Sequence, residues 1–103
     1  MLPLQKVREI ISKYDGLEKE LSSGNIDSKK FANKSKEYAN LGSIIATAKE
    51  YINFDKEKKD LEQILQDQAS DKEIIEMAQK DLDDLIRKRK NNENQLKIFL
   101  LPK

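Results

Sequence analysis

The chain has 103 residues, with twenty basic and nineteen acidic side chains, a net charge of +1, and neither cysteine nor histidine. That length supports one modest domain, burying somewhat over ~60% of its unfolded surface. Without Cys or His, disulfides, thiol nucleophiles, imidazole bases and the common zinc ligand sets are excluded, and the interspersed charge lacks the basic stripe of a strong nucleic-acid binder.

Charged residues (38%) match hydrophobic ones (37%), yet the apolar set is rich in Leu and Ile and recurs periodically, which argues against disorder and for long, solvent-washed helices. The start, MLPLQKVREII, lacks the basic-then-apolar layout of a secretory signal, and the longest run of large apolar residues is Ile98 to Leu101. A soluble cytoplasmic protein with no membrane partner is expected. The lack of a transit-like start favours a bacterial source.

In the first segment Val7, Ile10, Ile11, Tyr14, Leu17 and Leu21 recur at three- and four-residue steps, predicting a helix over about residues 3–22. Pro3 suits its first turn, and Ser22-Ser23-Gly24-Asn25 ends it. Asp27 or Ser28 can cap a second helix over about 28–69, with a stripe of Phe31, Tyr38, Leu41, Ile45, Ala48, Ile52, Leu61, Ile64 and Leu65. Gly42 interrupts it at a cost of ~1 kcal/mol relative to Ala, so a bend or a break is expected there. Ser70-Asp71-Lys72-Glu73 has the form of a capping box, Ser70 accepting from the Glu73 amide. It opens a third helix over about 71–100, where Ile75, Ala78, Leu82, Leu85, Leu96 and Phe99 follow a seven-residue rhythm broken by Arg89 and Asn92, until Pro102.

The connection near Ser70 is short, so the second and third helices must fold back as an antiparallel pair, and the first returns along the front of the second. This predicts an all-α, elongated antiparallel three-helix bundle in which all three helices overlap only near the middle. Two thin, two-helix arms extend from it, and their leftover apolar exposure would mark docking surfaces.

The most concentrated basic run is Arg87-Lys88-Arg89-Lys90, a candidate nucleic-acid phosphate contact. A solvated helix face is the stronger reading, because Asp83 and Asp84 sit four residues before Arg87 and Lys88 and stabilise the helix by ~0.3 kcal/mol per pair. Asp81, Asp83 and Asp84 lack the glycine turn of a calcium loop, and no metal, cofactor or catalytic residue is expected. Phe31, Tyr38, Tyr51 and Phe54 could form a stacking platform for bases. Phe31 and Tyr38 lie on the apolar stripe, which favours core packing, whereas Tyr51 and Phe54 are expected to be more open. Arg89 and Asn92 mark either the end of cover on the third helix or a polar register device. No phosphate-cradling loop or nucleophile elbow exists, since Gly16, Gly24 and Gly42 are far apart.

Three strings go further: KSKEYANL at 34–41, EIIEMAQKDLDDL at 73–85 and QLKIFLLPK at 95–103. In this order they resemble the N-terminal domain of bacterial class I peptide chain release factors of the release factor one type, which read UAA and UAG. The likeness is carried by Glu37, Tyr38, Ala39 and Leu41, by Glu76, Met77 and Ala78, and by the exit Leu100 to Lys103. Phe99 departs from the family, which often has Leu there. The resemblance implies that the Gly-Gly-Gln of hydrolysis and the codon-reading tripeptide, both absent here, lie beyond Lys103, so this segment is no enzyme by itself. It further implies an arm reaching the stalk base of the large ribosomal subunit, cooperating with the GTPase release factor. The rivals are the sister UAA/UGA factor, which the Leu-Leu-Pro-Lys exit argues against, and a free-standing helical adaptor or coiled-coil protein. A monomer or weak dimer is expected of the isolated domain.

Overall fold

The computed structural model describes residues 2–102, so Lys103 at the end of the Leu-Leu-Pro-Lys exit lies outside the described residues. Four helices follow in order, α1 (Leu4–Ser23), α2 (Ser28–Gly42), α3 (Ile45–Gln66) and α4 (Lys72–Leu100), with no strand among the described residues. The all-α expectation is met. The expected three helices are four, because the second divides at Ser43 and Ile44.

The division is a tight turn and not a loop. Ser43 N–H donates to the Asn40 carbonyl at 3.3 Å and Ile44 N–H to the Leu41 carbonyl at 3.0 Å, the three-residue bonding of a 3₁₀ turn. Gly42 keeps a negative φ, and an added Cβ there would meet only the Tyr14 ring at 3.7 Å. The stripe shifts across the turn: Leu41, Ile44, Ala48 and Tyr51 are buried, where Leu41, Ile45, Ala48 and Ile52 were expected. Two adjacent apolar pairs, Ile44-Ile45 and Tyr51-Ile52, made either register readable, and the tighter turn selects the first member of each.

The helix ends follow from local chemistry. Gly24 closes α1 with φ 73°, a left-handed conformation that costs L-residues energy and glycine little. Asp27 caps α2, accepting from the Lys29 N–H at 3.1 Å. The expected capping box at Ser70 is not formed. Asp71 caps α4 by accepting from the Ile74 N–H at 2.9 Å, and the Ser70 hydroxyl instead donates to the Ile64 carbonyl at 3.1 Å. Asp is as good a cap as Ser, so shifting the start by one residue releases Ser70 to add a second hydrogen bond to the Ile64 carbonyl, which also accepts from the Asp67 N–H at 3.3 Å.

Packing produces a body of 60 × 29 × 19 Å. The second half of α1 pairs with α2 through stacked Tyr14 and Tyr38 rings, 4.5 Å apart, and through the ion pairs Lys13–Glu37 and Lys34–Glu20. The start of α1 lies on α3, where the Tyr51 hydroxyl donates to the Leu2 carbonyl at 3.1 Å. The pairing of α3 with α4 is the longest and runs to Thr47, whose hydroxyl donates to Gln95 at 3.3 Å. At this waist Leu2, Val7, Ile10, Ile44, Ala48, Tyr51 and Leu96 form the core, continued by Leu17 and Leu41 toward α2. Val7, Tyr51 and Leu96 are the largest side chains removed entirely from solvent, and aliphatic side chains buried to this degree stabilise a fold by ~1.5–3 kcal/mol each.

Beyond the waist α3 and α4 continue as a two-helix arm that cannot cover its own surface. Ile74, Met77 and Ile86 are exposed along α4, and Phe31, expected in the core, is 47% exposed on α2. Phe31 stands in the first turn of α2, ahead of the stretch that Tyr14 covers.

Candidate functional site

The four cations at 87–90 divide by helical direction into two kinds. The Arg89 guanidinium turns inward, 3.6 Å from the centroid of the Tyr51 ring and 4.5 Å from that of Phe54. Its Nη1 donates to the Tyr51 carbonyl at 2.7 Å. Planarity lets one guanidinium stack on rings and donate in its own plane at once, which an ammonium cannot do. One turn further on, nearly buried Asn92 donates from Nδ2 to Glu50 Oε2 at 3.2 Å. The other oxygen of Glu50 takes Lys88 Nζ at 3.1 Å. Glu50 thus gathers two residues of α4, and the row Lys88, Arg89, Asn92 fixes how far α4 slides along α3. The register-device alternative for Arg89 and Asn92 fits this arrangement, and the end-of-cover alternative does not, since Leu96 beyond them is fully buried.

Arg87 and Lys90, one turn apart, face outward. Arg87 pairs with Asp84, and its side chain is 74% exposed. Lys90 is exposed. Among the sequence-predicted contact residues these two can meet an anion without breaking a tertiary contact, whereas Lys88 would first have to leave Glu50.

The aromatic platform does not assemble. Tyr51, expected to be open, is fully buried, and Phe54 is half-buried beneath Arg89. Tyr38 stacks on Tyr14 and Phe31 stands apart in the first turn of α2. The Tyr38 hydroxyl is pushed up to about 12, by its hydrogen bond with Tyr14 first, then by partial burial and by the nearby charges of Glu18 and Asp15. In the last turns of α4 the Lys97 ammonium, hydrogen-bonded to Glu93, holds the Glu93 carboxyl below the usual carboxylate range.

Asp81, Asp83 and Asp84 also separate. Asp83 accepts from the Gln79 amide at 3.1 Å, Asp84 holds Arg87, and Asp81 and Asp84 line a groove between α3 and α4. Among the described residues no group of three or more acidic side chains is disposed to hold a metal ion. No helix among the described residues is long and apolar enough to cross a membrane.

Sequence reasoning missed the Arg89–Tyr51–Phe54 cluster, although a signal for it was present. Tyr51 and Arg89 each stand nineteen positions from Ser70, and an antiparallel hairpin turning at Ser70 sets such residues opposite one another.

Comparison with known proteins matches residues 10–103 to the family described as the PCRF domain. The chain is 52% identical over 103 residues to "Peptide chain release factor 1" of Pelagibacter ubique, covering 100% of this chain and 29% of that protein. Proteins of the same name from Orientia tsutsugamushi and Rickettsia bellii are each 36% identical, over 94% and 92% of this chain and 27% and 26% of theirs. The chain therefore spans less than a third of the length of these relatives. No solved structure matches it. With the family match reaching from α1 to the last residue, and the resemblance of its three strings borne out by relatives named as release factors, the chain belongs to the PCRF domain family.

Proposed function

We propose that this chain is the docking arm of a translation termination factor that promotes stop-codon-dependent hydrolysis of peptidyl-tRNA on the ribosome. The observation that carries the reading is the 52% identity, over the whole chain, to a protein named peptide chain release factor 1. Shape supports it, because a rod of helices 60 Å long adds contact area far from the chemistry and raises effective affinity without touching the reacting groups. The arm lies at the stalk base of the large subunit and assists cooperation with the GTPase release factor. It contributes orientation only, and the hydrolytic and codon-reading groups belong to the remainder of the factor.

Within that reading Arg87 and Lys90 are the cations that meet ribosomal phosphate, while Lys88 and Arg89 hold them in place through α3. Phosphate contacts carry a salt dependence of roughly one unit of slope per cation. Replacing both outward residues, Arg87→Gln with Lys90→Gln, should weaken ribosome binding of the full-length factor and flatten its salt dependence by roughly one to two units of log K against log salt. An unchanged slope would remove these residues from the interface.

The broader test deletes residues 1–103 from the full-length factor. Ribosome association should weaken far more than the rate of hydrolysis at saturating factor, as expected when uniform binding is lost and the transition state is untouched. An equal fall in the saturated rate would refute the docking role.

A further inference from the structure

The groove between α3 and α4 combines two properties that the phosphate contact does not use. Its floor is apolar, formed by Leu61 and Leu85, and its rims carry Glu57, Asp60 and Asp81, with Asp84 already paired to Arg87, around a volume of about 470 Å³. Lys88 is the one cation lining it, and that ammonium is engaged by Glu50. From Leu61 and Asp81 a second apolar hollow of about 190 Å³ continues toward the tip of the arm through Ile64, Ile74 and Met77. Met77 is 66% exposed and Ile74 46%. The arm as a whole is acidic: residues 57–84 hold ten acidic side chains against four basic ones, in a chain whose net charge is +1.

We propose that this groove receives a basic amphipathic helix of a partner protein, its apolar side chains on Leu61, Leu85 and Met77 and its Lys or Arg side chains on the acidic rims. Helix-in-groove docking needs a contiguous apolar track between two helices, which the two hollows provide over more than two turns of α4. Charge selects the occupant. A rim of carboxylates repels nucleic-acid phosphate and attracts a cationic helix, accelerating its encounter and rejecting acidic competitors. A second copy of this chain fits less well. Its exposed Phe31, preceded by Lys29 and Lys30, stands on α2, which contributes no residue to the groove, so seating it in the groove makes a head-to-tail contact that does not close. The proposal rests on the reading of the chain as a docking arm and assigns this face to a basic protein segment, with the outward cations left for RNA.

The test titrates the isotope-labelled 103-residue chain with a synthetic helical peptide carrying Leu at three- and four-residue steps and Lys elsewhere, followed by NMR. The expected result is amide shift changes confined to residues 57–64 and 74–88. Affinity should fall about tenfold when the peptide leucines become serines, and about tenfold in the double variant Asp60→Asn with Asp81→Asn. The variant Glu9→Gln with Asp15→Asn, which removes two exposed carboxylates from α1, should bind as the parent does. An equal loss in that control, shift changes centred on α1 or α2, or indifference to the leucines would overturn the proposal. So would an RNA hairpin that displaces the peptide, or concentration-dependent sedimentation with the same groove occupied by a second copy. Because ribosome association of the truncated factor is measured separately, failure of the groove and failure of the docking role are distinguishable.

Discussion

Replacing Arg89 by Met keeps an unbranched side chain of similar reach and removes the charge, which isolates what the guanidinium does. Its hydrogen bond to the Tyr51 carbonyl is 2.7 Å long and partly buried, and a bond of this charged kind contributes ~1.5–3 kcal/mol. The two rings beneath it add ~0.5–1 kcal/mol each at a partly exposed site. Against these stand the desolvation that Met avoids and the sulfur–aromatic contact it regains, ~0.3–1.5 kcal/mol. The net loss is about 2 kcal/mol, a fall in melting temperature of roughly 8–16 °C for a domain of this size. Thermal and urea denaturation followed by circular dichroism measure it, with Arg87→Met as the comparison. The Arg87 pair with Asp84 is exposed, and surface pairs contribute ~0–1 kcal/mol. If Arg89→Met melts within about 2 °C of the parent, or Arg87→Met loses as much, the register role of Arg89 is wrong.

Leu96→Ala empties a fully buried position at the waist and should cost ~2–5 kcal/mol in urea unfolding; a loss below about 1 kcal/mol would mean that Leu96 lies outside the core. Gly24→Ala and Gly16→Ala should have opposite signs in thermal melts. Gly24 holds φ at +73° and Ala there costs ~1–2 kcal/mol, while Gly16 lies inside α1 with open space around it and Ala there gains up to ~1 kcal/mol. Tyr38 is pushed up to about 12 from 10.0, so the folded state holds its proton more tightly than the unfolded state does. Its contribution is complete below pH 10 and is lost as pH rises toward 12. Urea midpoints should fall less steeply across that window in Tyr38→Phe than in the parent; equal slopes would show that Tyr38 does not contribute.

Most of the architecture was legible because the signals were local or followed from chain length. Apolar steps of three and four located the helices, Gly24 marked an end, and the short turn at Ser70 forced the long hairpin. Three of the misreadings share one physical origin, a choice between adjacent equivalent residues that only packing decides. Ile44 or Ile45, Tyr51 or Ile52, and Ser70 or Asp71 each offered the right chemistry one position apart. The 3₁₀ turn at Ser43 and Ile44 settled the first two, and the bonds that Asp71 makes to the Ile74 N–H and Ser70 to the Ile64 carbonyl settled the third. Phe31 was misplaced because helical periodicity says which face a residue occupies, not whether anything covers that face. At the candidate contact, the basic run was visible at once, but its separation into outward Arg87 and Lys90, Glu50-paired Lys88 and inward Arg89 depends on partners some forty positions away in sequence.

The waist core joins residues from distant parts of the chain, Leu2 and Val7 with Tyr51 and Leu96, whereas the tip of the α3–α4 hairpin is held by its own two helices and the hydrogen bonds around Ser70 and Asp71. Cooperative units of unequal strength follow from that difference. Backbone amides near Val7, Tyr51 and Leu96 will exchange with solvent only when the whole domain unfolds, and those of residues 62–78 will exchange through openings confined to the tip. The hairpin end can therefore fray and re-form many times while the waist stays closed, and a partner that clasps the tip would be read most directly as slowed exchange there.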